Sequence, residues 1–237
     1  MRRTLLGTDL LIEQQTTNAF NLDTVLLANF IKIPAKTKLI LDVGTGNGAL
    51  MLYLSQKTKA KIIGIEVQEE RYVQAVKNIE LNHLSDRLSC IHKNYNQIEY
   101  KNVDCIISNP PFFKLTEKAN INESEDSAIA RHEILLNLEE LIFNVSKHLK
   151  FGGHFFMIHR PDRLVEIIKV MSKNQLEIKR LRFVHPYVDA KANHVLIEAI
   201  KNGNEGITLE PPLILYTDKH IFSKEIIKIY GGNPHVT

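Results

Sequence analysis

The stretch Ser108-Asn109-Pro110-Pro111-Phe112 gathers groups that can handle a planar amine. Two consecutive prolines fix φ and lack backbone N–H donors, so their carbonyls are not drawn into a helix and stay available as acceptors. Asn109 adds a side-chain carbonyl and an amide donor. Phe112 adds a flat apolar face for stacking. Acceptors beside an aromatic plate suit a flat molecule carrying an exocyclic NH₂. The same residues would also make an ordinary Pro-Pro turn capped by Asn, so the surroundings decide.

Those surroundings are strand-like. Val103-Asp104-Cys105-Ile106-Ile107 reads as a buried strand, which places the turn at a carboxyl end, where open α/β sheets hold their ligands. Leu39-Ile40-Leu41-Asp42-Val43 is a second apolar run. It leads into Gly44-Thr45-Gly46-Asn47-Gly48-Ala49 and then a helix through about Gln56. Glycines at a strand-to-helix turn let a ligand approach the backbone, with helix N–H groups aimed at it. The next strand, Lys61 to Glu66, ends in an acid with Val67 behind it. Glu66 follows the glycines at about the 20-residue spacing from which an acid reaches ribose hydroxyls; a helix-start acid is its plainer reading. Together these features predict an adenosine bound at the first two strands. Gly44-x-Gly46-x-x-Ala49 also fits a dinucleotide fingerprint, so an NAD enzyme stays open at this point. Against it, Asp42 precedes the first glycine by two, and a carboxylate there suits an ammonium group and repels a pyrophosphate. A nicotinamide enzyme also has no use for Asn-Pro-Pro-Phe.

The rest of the chain supplies further candidates. Residues 21–31 carry apolar positions at helical spacing, with Asn21 as N-cap and Pro34 ending the run. Asp23 in its first turn either complements the helix dipole or lies near a cofactor. Residues 69–82 form another helix. Leu88 to Lys93 is a third strand, and Asn94 at its end either bonds an adenine amine or serves a turn. Residues 113–131 are polar and aperiodic, as functional loops often are. There Arg131 either holds a phosphate or starts a helix with a salt bridge. Residues 138–149 read as a helix stopped by Gly152-Gly153, followed by a fifth strand over 154–159 and a helix opened by Pro161. Residues 178–185 and 192–201 make an antiparallel pair, on which Lys179, Arg180 and Arg182 either face RNA or are ordinary solvated charges. The tail beyond Gly203 holds a Pro211-Pro212 loop and a short helix within 221–230.

A chain of 237 residues, 44% hydrophobic and 24% charged, is long enough for one large α/β domain. A formal net charge of +3 and a pI near 8.7 are compatible with RNA but do not demand it. Cys90 and Cys105 sit in apolar runs without metal-ligand spacing, so they read as core residues and no metal is expected. With no run of 18 apolar residues and no secretory segment at the start, the expectation is a cytoplasmic protein with no membrane partner, and a monomer.

Asp42-Val43-Gly44-Thr45-Gly46-Asn47-Gly48 and Asn109-Pro110-Pro111-Phe112 together resemble motifs of the class I S-adenosylmethionine-dependent methyltransferases that act on planar amino groups. A closer resemblance is to the bacterial tRNA1(Val) adenine-N6-methyltransferase family. It rests on residues 20–30, Asn109 to Phe112, Ala130-Arg131-His132-Glu133, Arg182 to Pro186 and Asn193 to Glu198. The resemblance implies a Rossmann-like fold: a mostly parallel seven-stranded sheet, a terminal antiparallel pair and an N-terminal helical extension. One domain would comprise an extension over 1–36, a catalytic core over 37–201 and a C-terminal extension over 202–237. It also implies a tRNA substrate methylated at adenine 37. Asn109, Pro110 and Phe112 would do the chemistry, and Asp23, Asp42, Gly44, Thr45, Gly46, Gly48, Glu66, Val67, Asn94 and Asn109 would line the S-adenosylmethionine site. Many relatives carry Asp where this chain has Asn94. Enzymes acting on rRNA guanine, DNA adenine or protein glutamine share the Asn-Pro-Pro-aromatic motif, and an RNA-binding module with a vestigial cofactor site is the non-enzymatic alternative.

Overall fold

In the computed structural model, residues 2–14, 22–110, 137–219 and 221–231 are described. The chain opens with an antiparallel pair, β1 (Arg2–Thr4) and β2 (Leu11–Glu13), and helix α1 (Leu22–Phe30). An alternating core follows: β3 (Leu39–Val43), α2 (Ala49–Ser55), β4 (Lys61–Glu66), α3 (Glu69–Leu81), β5 (Leu88–His92) and β6 (Val103–Ser108). Then come α4 (Leu138–His148), β7 (Leu149–His159), α5 (Leu164–Lys173), β8 (Leu176–His185) and β9 (His194–Lys201). The C-terminal segment adds β10 (Thr208–Leu209), β11 (Leu213–Ile214), β12 (Tyr216–Asp218), β13 (Ile221–Phe222) and α6 (Lys224–Ile229).

The central sheet runs β8-β9-β7-β6-β3-β4-β5, the expected seven strands, with the two-residue strands β10 and β11 both added parallel to the outer edge of β8. Strands β3 to β7 are mutually parallel where they pair, and β9 runs antiparallel between β7 and β8. Sequential strands spread outward in opposite directions from β3 and β6, so a crevice opens between their carboxyl ends. Both faces of this sheet are covered, which is why its central strands β3, β4 and β6 are largely apolar runs that do not alternate. Ile40, Ile62, Cys105, Ile107, Phe156 and Ile158 pack under α1, α2 and the C-terminal segment. Their neighbours Leu41, Ile63, Ile106, Phe155 and Met157 pack under α4 and α5.

Gly152 and Gly153 do not stop a helix. Helix α4 ends at His148, and β7 begins at once with Leu149. The β6–β7 register slips between Val103↔Leu149 and Cys105↔His154, and the glycines occupy that bulge. A Cβ on Gly153 would stand 2.9 Å from the Lys150 carbonyl and 3.1 Å from that of Val103, so only glycine fits.

Two asparagines of α3 anchor the N-terminal strands. Asn82 exchanges hydrogen bonds with the backbone of Leu11. Asn78, fully buried, accepts from Glu13 N–H and donates to the carbonyls of Glu13 and Asn47. That last bond ties the N-terminal pair to the glycine turn.

Candidate functional site

The glycine turn leaves β3 with Gly44, Gly46 and Gly48 all at positive φ (72°, 59° and 82°), the left-handed region that side chains other than glycine's disfavour. Gly44 and Thr45 donate their N–H groups to the Ile65 carbonyl, and Gly46 donates to Glu66 Oε2 at 2.9 Å. Glu66 is 2% exposed. Its Oε1 also accepts from Val67 N–H and Gln68 N–H, each at 2.9 Å. One carboxylate thus locks the turn after β3 to the end of β4. Each oxygen of a carboxylate has about two acceptor sites, so Oε1 is filled and Oε2 keeps capacity for one ligand hydroxyl. Val67 is held in turn, its carbonyl accepting from His92 Nε2 at 3.0 Å.

Asp42 is 1% exposed and accepts from Thr45 Oγ1 at 2.6 Å. Burial is the main force on it and pushes its carboxyl up to about 7; the nearby Glu66 charge adds to the rise and the Thr45 bond opposes it. Cys90 shares the neighbourhood: burial, then the Glu66 and Asp42 charges, push its thiol up to about 12. The fit for a bound adenosyl amino acid can be judged from unsatisfied groups. Among the described residues no cation forms an ion pair with the buried Asp42 carboxyl. Beside the turn, Arg71 Nε is a buried donor without a hydrogen-bond partner, and its Nη1 lies 3.8 Å from where a Cβ on Gly46 would stand. A ligand that brings an ammonium group and oxygen acceptors would satisfy both.

Asn94 ends the third strand, but its side-chain oxygen accepts from Asn96 N–H at 2.9 Å and caps the 3-10 turn Tyr95–Gln97. Its turn role is therefore visible, and a bond from an adenine amine must share that oxygen.

Across the crevice, Ser108 is fully buried and donates to the Val43 carbonyl at 2.9 Å, joining the ends of β6 and β3. Asn109 follows, and its Nδ2 lies 3.3 Å from Thr24 Oγ1 in the first turn of α1. Pro110 is buried. Asp23, 6% exposed, pairs with His194 Nε2 at 3.2 Å from the start of β9. Burial is the first cause holding His194 below the ordinary histidine range, with Asp23 opposing and Arg160 adding to the fall. The helix dipole alone does not explain Asp23, because its carboxylate has a side-chain partner. Asn21, Pro111, Phe112, residues 113–131 and Arg131 within them, and the Ala130 to Glu133 motif lie outside the described residues.

The basic candidates on β8 each have partners within the chain. Lys179 Nζ donates to the carbonyls of Asn204, Glu205 and Gly206. Arg180, 8% exposed, bonds Glu198 (2.6 Å), Glu210 (3.0 Å) and the Phe30 carbonyl (2.9 Å), with its guanidinium 3.8 Å above the Phe30 ring. Arg182 bonds the Pro211 carbonyl and Glu225. These bonds clasp the C-terminal segment to the sheet. Thr24, Arg71 and His194 are site neighbours that the motifs did not single out by role. The signal for Thr24 and His194 was their place inside the family-like stretches. Nothing in the sequence marked Arg71.

Among the described residues, no group of three His, Cys, Asp or Glu is placed to hold a metal ion, and no helix is long and apolar enough to cross a membrane.

The family model described as Methyltransferase small domain matches residues 17–176. The tRNA1(Val) (adenine(37)-N6)-methyltransferase of Flavobacterium psychrophilum is 30% identical over 230 residues, covering 93% of this chain and 94% of that protein. The protein of the same name from Christiangramia forsetii is 30% identical, with 86% and 85% covered. Among solved structures, a predicted O-methyltransferase from Agrobacterium tumefaciens superposes with a TM-score of 0.70 at 22% identity, over 89% of this chain and 96% of that one, a likeness of fold.

Proposed function

The chain belongs to the methyltransferase small domain family, and we propose that it transfers a methyl group from S-adenosylmethionine to N6 of adenine 37 in a tRNA of the tRNA1(Val) type. The observation that carries this reading is the crevice itself. A glycine turn with two buried acids at the ends of β3 and β4 meets Asn109-Pro110 at the end of β6, and Ser108 bonds the two sides together. The names of the relatives supply the substrate, and a tRNA substrate supports a cytoplasmic location.

Glu66 would accept a ribose hydroxyl, Asp42 the ammonium group, and the turn of Gly44, Thr45, Gly46 and Gly48 would let the ligand approach the backbone. Val67 and Asn94 would border the adenine, with Arg71 offering a donor beside Gly46. Bound there, S-adenosylmethionine supplies a methyl group activated by its sulfonium. On the substrate side, adenine N6 is a poor nucleophile because its lone pair is delocalised into the ring. The Asn109 side-chain oxygen and the Pro110 carbonyl would accept hydrogen bonds from its two N–H groups, which favours a pyramidal nitrogen with a localised pair; the N–C bond forms as the S–C bond breaks, and one N6 proton is released to solvent. Phe112 stacks on the base and favours positive charge above its face. The groups named act by positioning and by polarising the amine. A target base that is stacked costs a few kcal/mol to extrude, and an anticodon-loop nucleotide lowers that cost.

The direct test is in vitro. Purified protein, methyl-labelled cofactor and tRNA from a strain lacking the protein should yield N6-methyladenosine in the nucleoside digest. Labelled methylguanosine, methylation of DNA or of a protein glutamine in its place, or cofactor bound without turnover on any RNA, would each overturn the assignment in favour of a different one.

A further inference from the structure

The amino ends of the central strands carry a concentration of charge that the crevice, at their carboxyl ends, does not use. The segment entering β3 holds Lys36 and Lys38, and the segment entering β4 holds Lys57, Lys59 and Lys61. The sheet sets them side by side: Leu39 pairs with Lys61, and Lys61 N–H donates to the Lys38 carbonyl at 2.9 Å. Between the segments is an open groove of about 610 Å³, lined by Lys38, Lys57 and Lys59 and by no aspartate or glutamate. With a formal net charge of only +3 for the whole chain, such a grouping is a local feature.

Helices α1 and α2 both end here, and the negative ends of their dipoles attract cations. That work already has its residues. Lys57 Nζ donates to the carbonyls of Ala28 and Asn29 in the last turn of α1. Arg87 donates to the carbonyls of Ser55 and Thr58 at and beyond the end of α2. The acids nearby are also engaged: Asp104 accepts from the N–H groups of Lys38 and Leu39 and pairs with Lys150, and Glu210 pairs with Lys32 and Arg180. Lys36, Lys38, Lys59 and Lys61 remain. All four are exposed, and among the described residues no acid pairs with any of their side chains. Four uncommitted ammonium groups around an acid-free groove suit a polyanion.

We infer that this groove is a second contact for the RNA substrate, where Lys36, Lys38, Lys59 and Lys61 hold backbone phosphates remote from the target base. The inference rests on the reading of tRNA as substrate. The five residues of β3, at about 3.3 Å each, separate the groove from the glycine turn by roughly 17 Å. The lysines therefore act on affinity and leave the chemistry untouched. Phosphate contacts of this kind position an RNA without reading its sequence.

The test is tRNA binding by fluorescence anisotropy across a salt series. The quadruple variant Lys36→Gln, Lys38→Gln, Lys59→Gln, Lys61→Gln should bind tRNA roughly tenfold more weakly, with a log–log salt slope shallower by about two to three. KM for tRNA should rise in step, while kcat at saturating tRNA and cofactor affinity stay within about twofold. A control removes four exposed lysines on and beside α4 and α5: Lys101→Gln, Lys147→Gln, Lys169→Gln, Lys173→Gln. It lowers the net charge equally and should leave the slope unchanged. Equal losses in the two variants overturn the groove in favour of net charge alone. Unaltered tRNA affinity in the groove variant overturns it as well; if binding to phosphatidylglycerol vesicles is lost instead, the partner is a lipid surface. If the native chain itself binds no tRNA, it is the substrate reading that has failed, and the groove falls with it.

Discussion

Glu66 accepts backbone hydrogen bonds from residues one, two and twenty positions away, whereas Asn109 donates its side-chain amide to the Thr24 hydroxyl, eighty-five positions back. The same contrast runs through both halves of the crevice. On the cofactor side Asp42 is held by Thr45, three residues on, and the turn by the end of the neighbouring strand. On the substrate side the supports come from α1, β9 and the C-terminal segment, which meet only in the folded chain. A cofactor half wired through its own backbone should bind its ligand whenever the β3–β4 unit is intact. A substrate half assembled from distant pieces should be sensitive to changes far from the chemistry.

The largest effect expected from that contrast is on stability. Arg180→Ala would leave Glu198 in its buried position without its closest cation, and should lower the unfolding free energy by about 3–5 kcal/mol, measured by denaturant titration. The salt dependence of tRNA binding should not change. Undiminished stability with a log–log salt slope shallower by about one phosphate would return Arg180 to the RNA face and blur the division between the halves.

Next is Asn109→Ala. Its bonds strengthen as the amine pyramidalises, so the loss should fall on kcat, roughly 100- to 1000-fold, with cofactor affinity by calorimetry unaltered. A matching loss of cofactor affinity would mean that the halves are one unit.

Glu66→Ala should do the reverse. Cofactor affinity should weaken by roughly 1–3 kcal/mol, the cost of a charge-assisted hydrogen bond. Unchanged affinity removes Glu66 from the site and leaves it only as the lock between turn and strand.

The smallest effect concerns pH. With its folded carboxyl raised to about 7, Asp42 is largely neutral below that pH, while an ammonium ligand favours the ionised form. Binding should therefore release a proton, and cofactor affinity should rise several-fold from about pH 5.5 to about pH 7 and then level. Buffer-dependent binding enthalpy reads the proton directly. An affinity that falls over this range contradicts an ammonium contact at Asp42.

How far the sequence could be read follows the same division. The β3 glycine turn and the acid ending β4 were legible because their partners lie close along the chain. The order of strands and the antiparallel β8–β9 pair were legible from apolar runs and the family-like motifs. The bulge at Gly152-Gly153 was not: a glycine pair looks the same as a helix stop or a strand bulge, and only the register of β6 on β7 tells them apart. Nor were the fates of Lys179, Arg180 and Arg182. A basic residue on a strand carries no mark of whether it will meet a phosphate or a carboxylate, and the acids that claim Arg180 and Arg182 lie between 18 and 43 residues away. Thr24 belongs with them, since its partner is fixed by the docking of α1.

The meeting of the two halves on one adenine is tested most directly in cells. Nucleosides from tRNA1(Val)-type tRNA should be compared by mass spectrometry between the parent strain, a strain lacking this protein, and that strain carrying either the native chain or Asn109→Ala. The account predicts that N6-methyladenosine at position 37 disappears on deletion, returns with the native chain and stays absent with Asn109→Ala. Undiminished N6-methyladenosine in the deletion strain, or loss of a methylguanosine in its place, would contradict it.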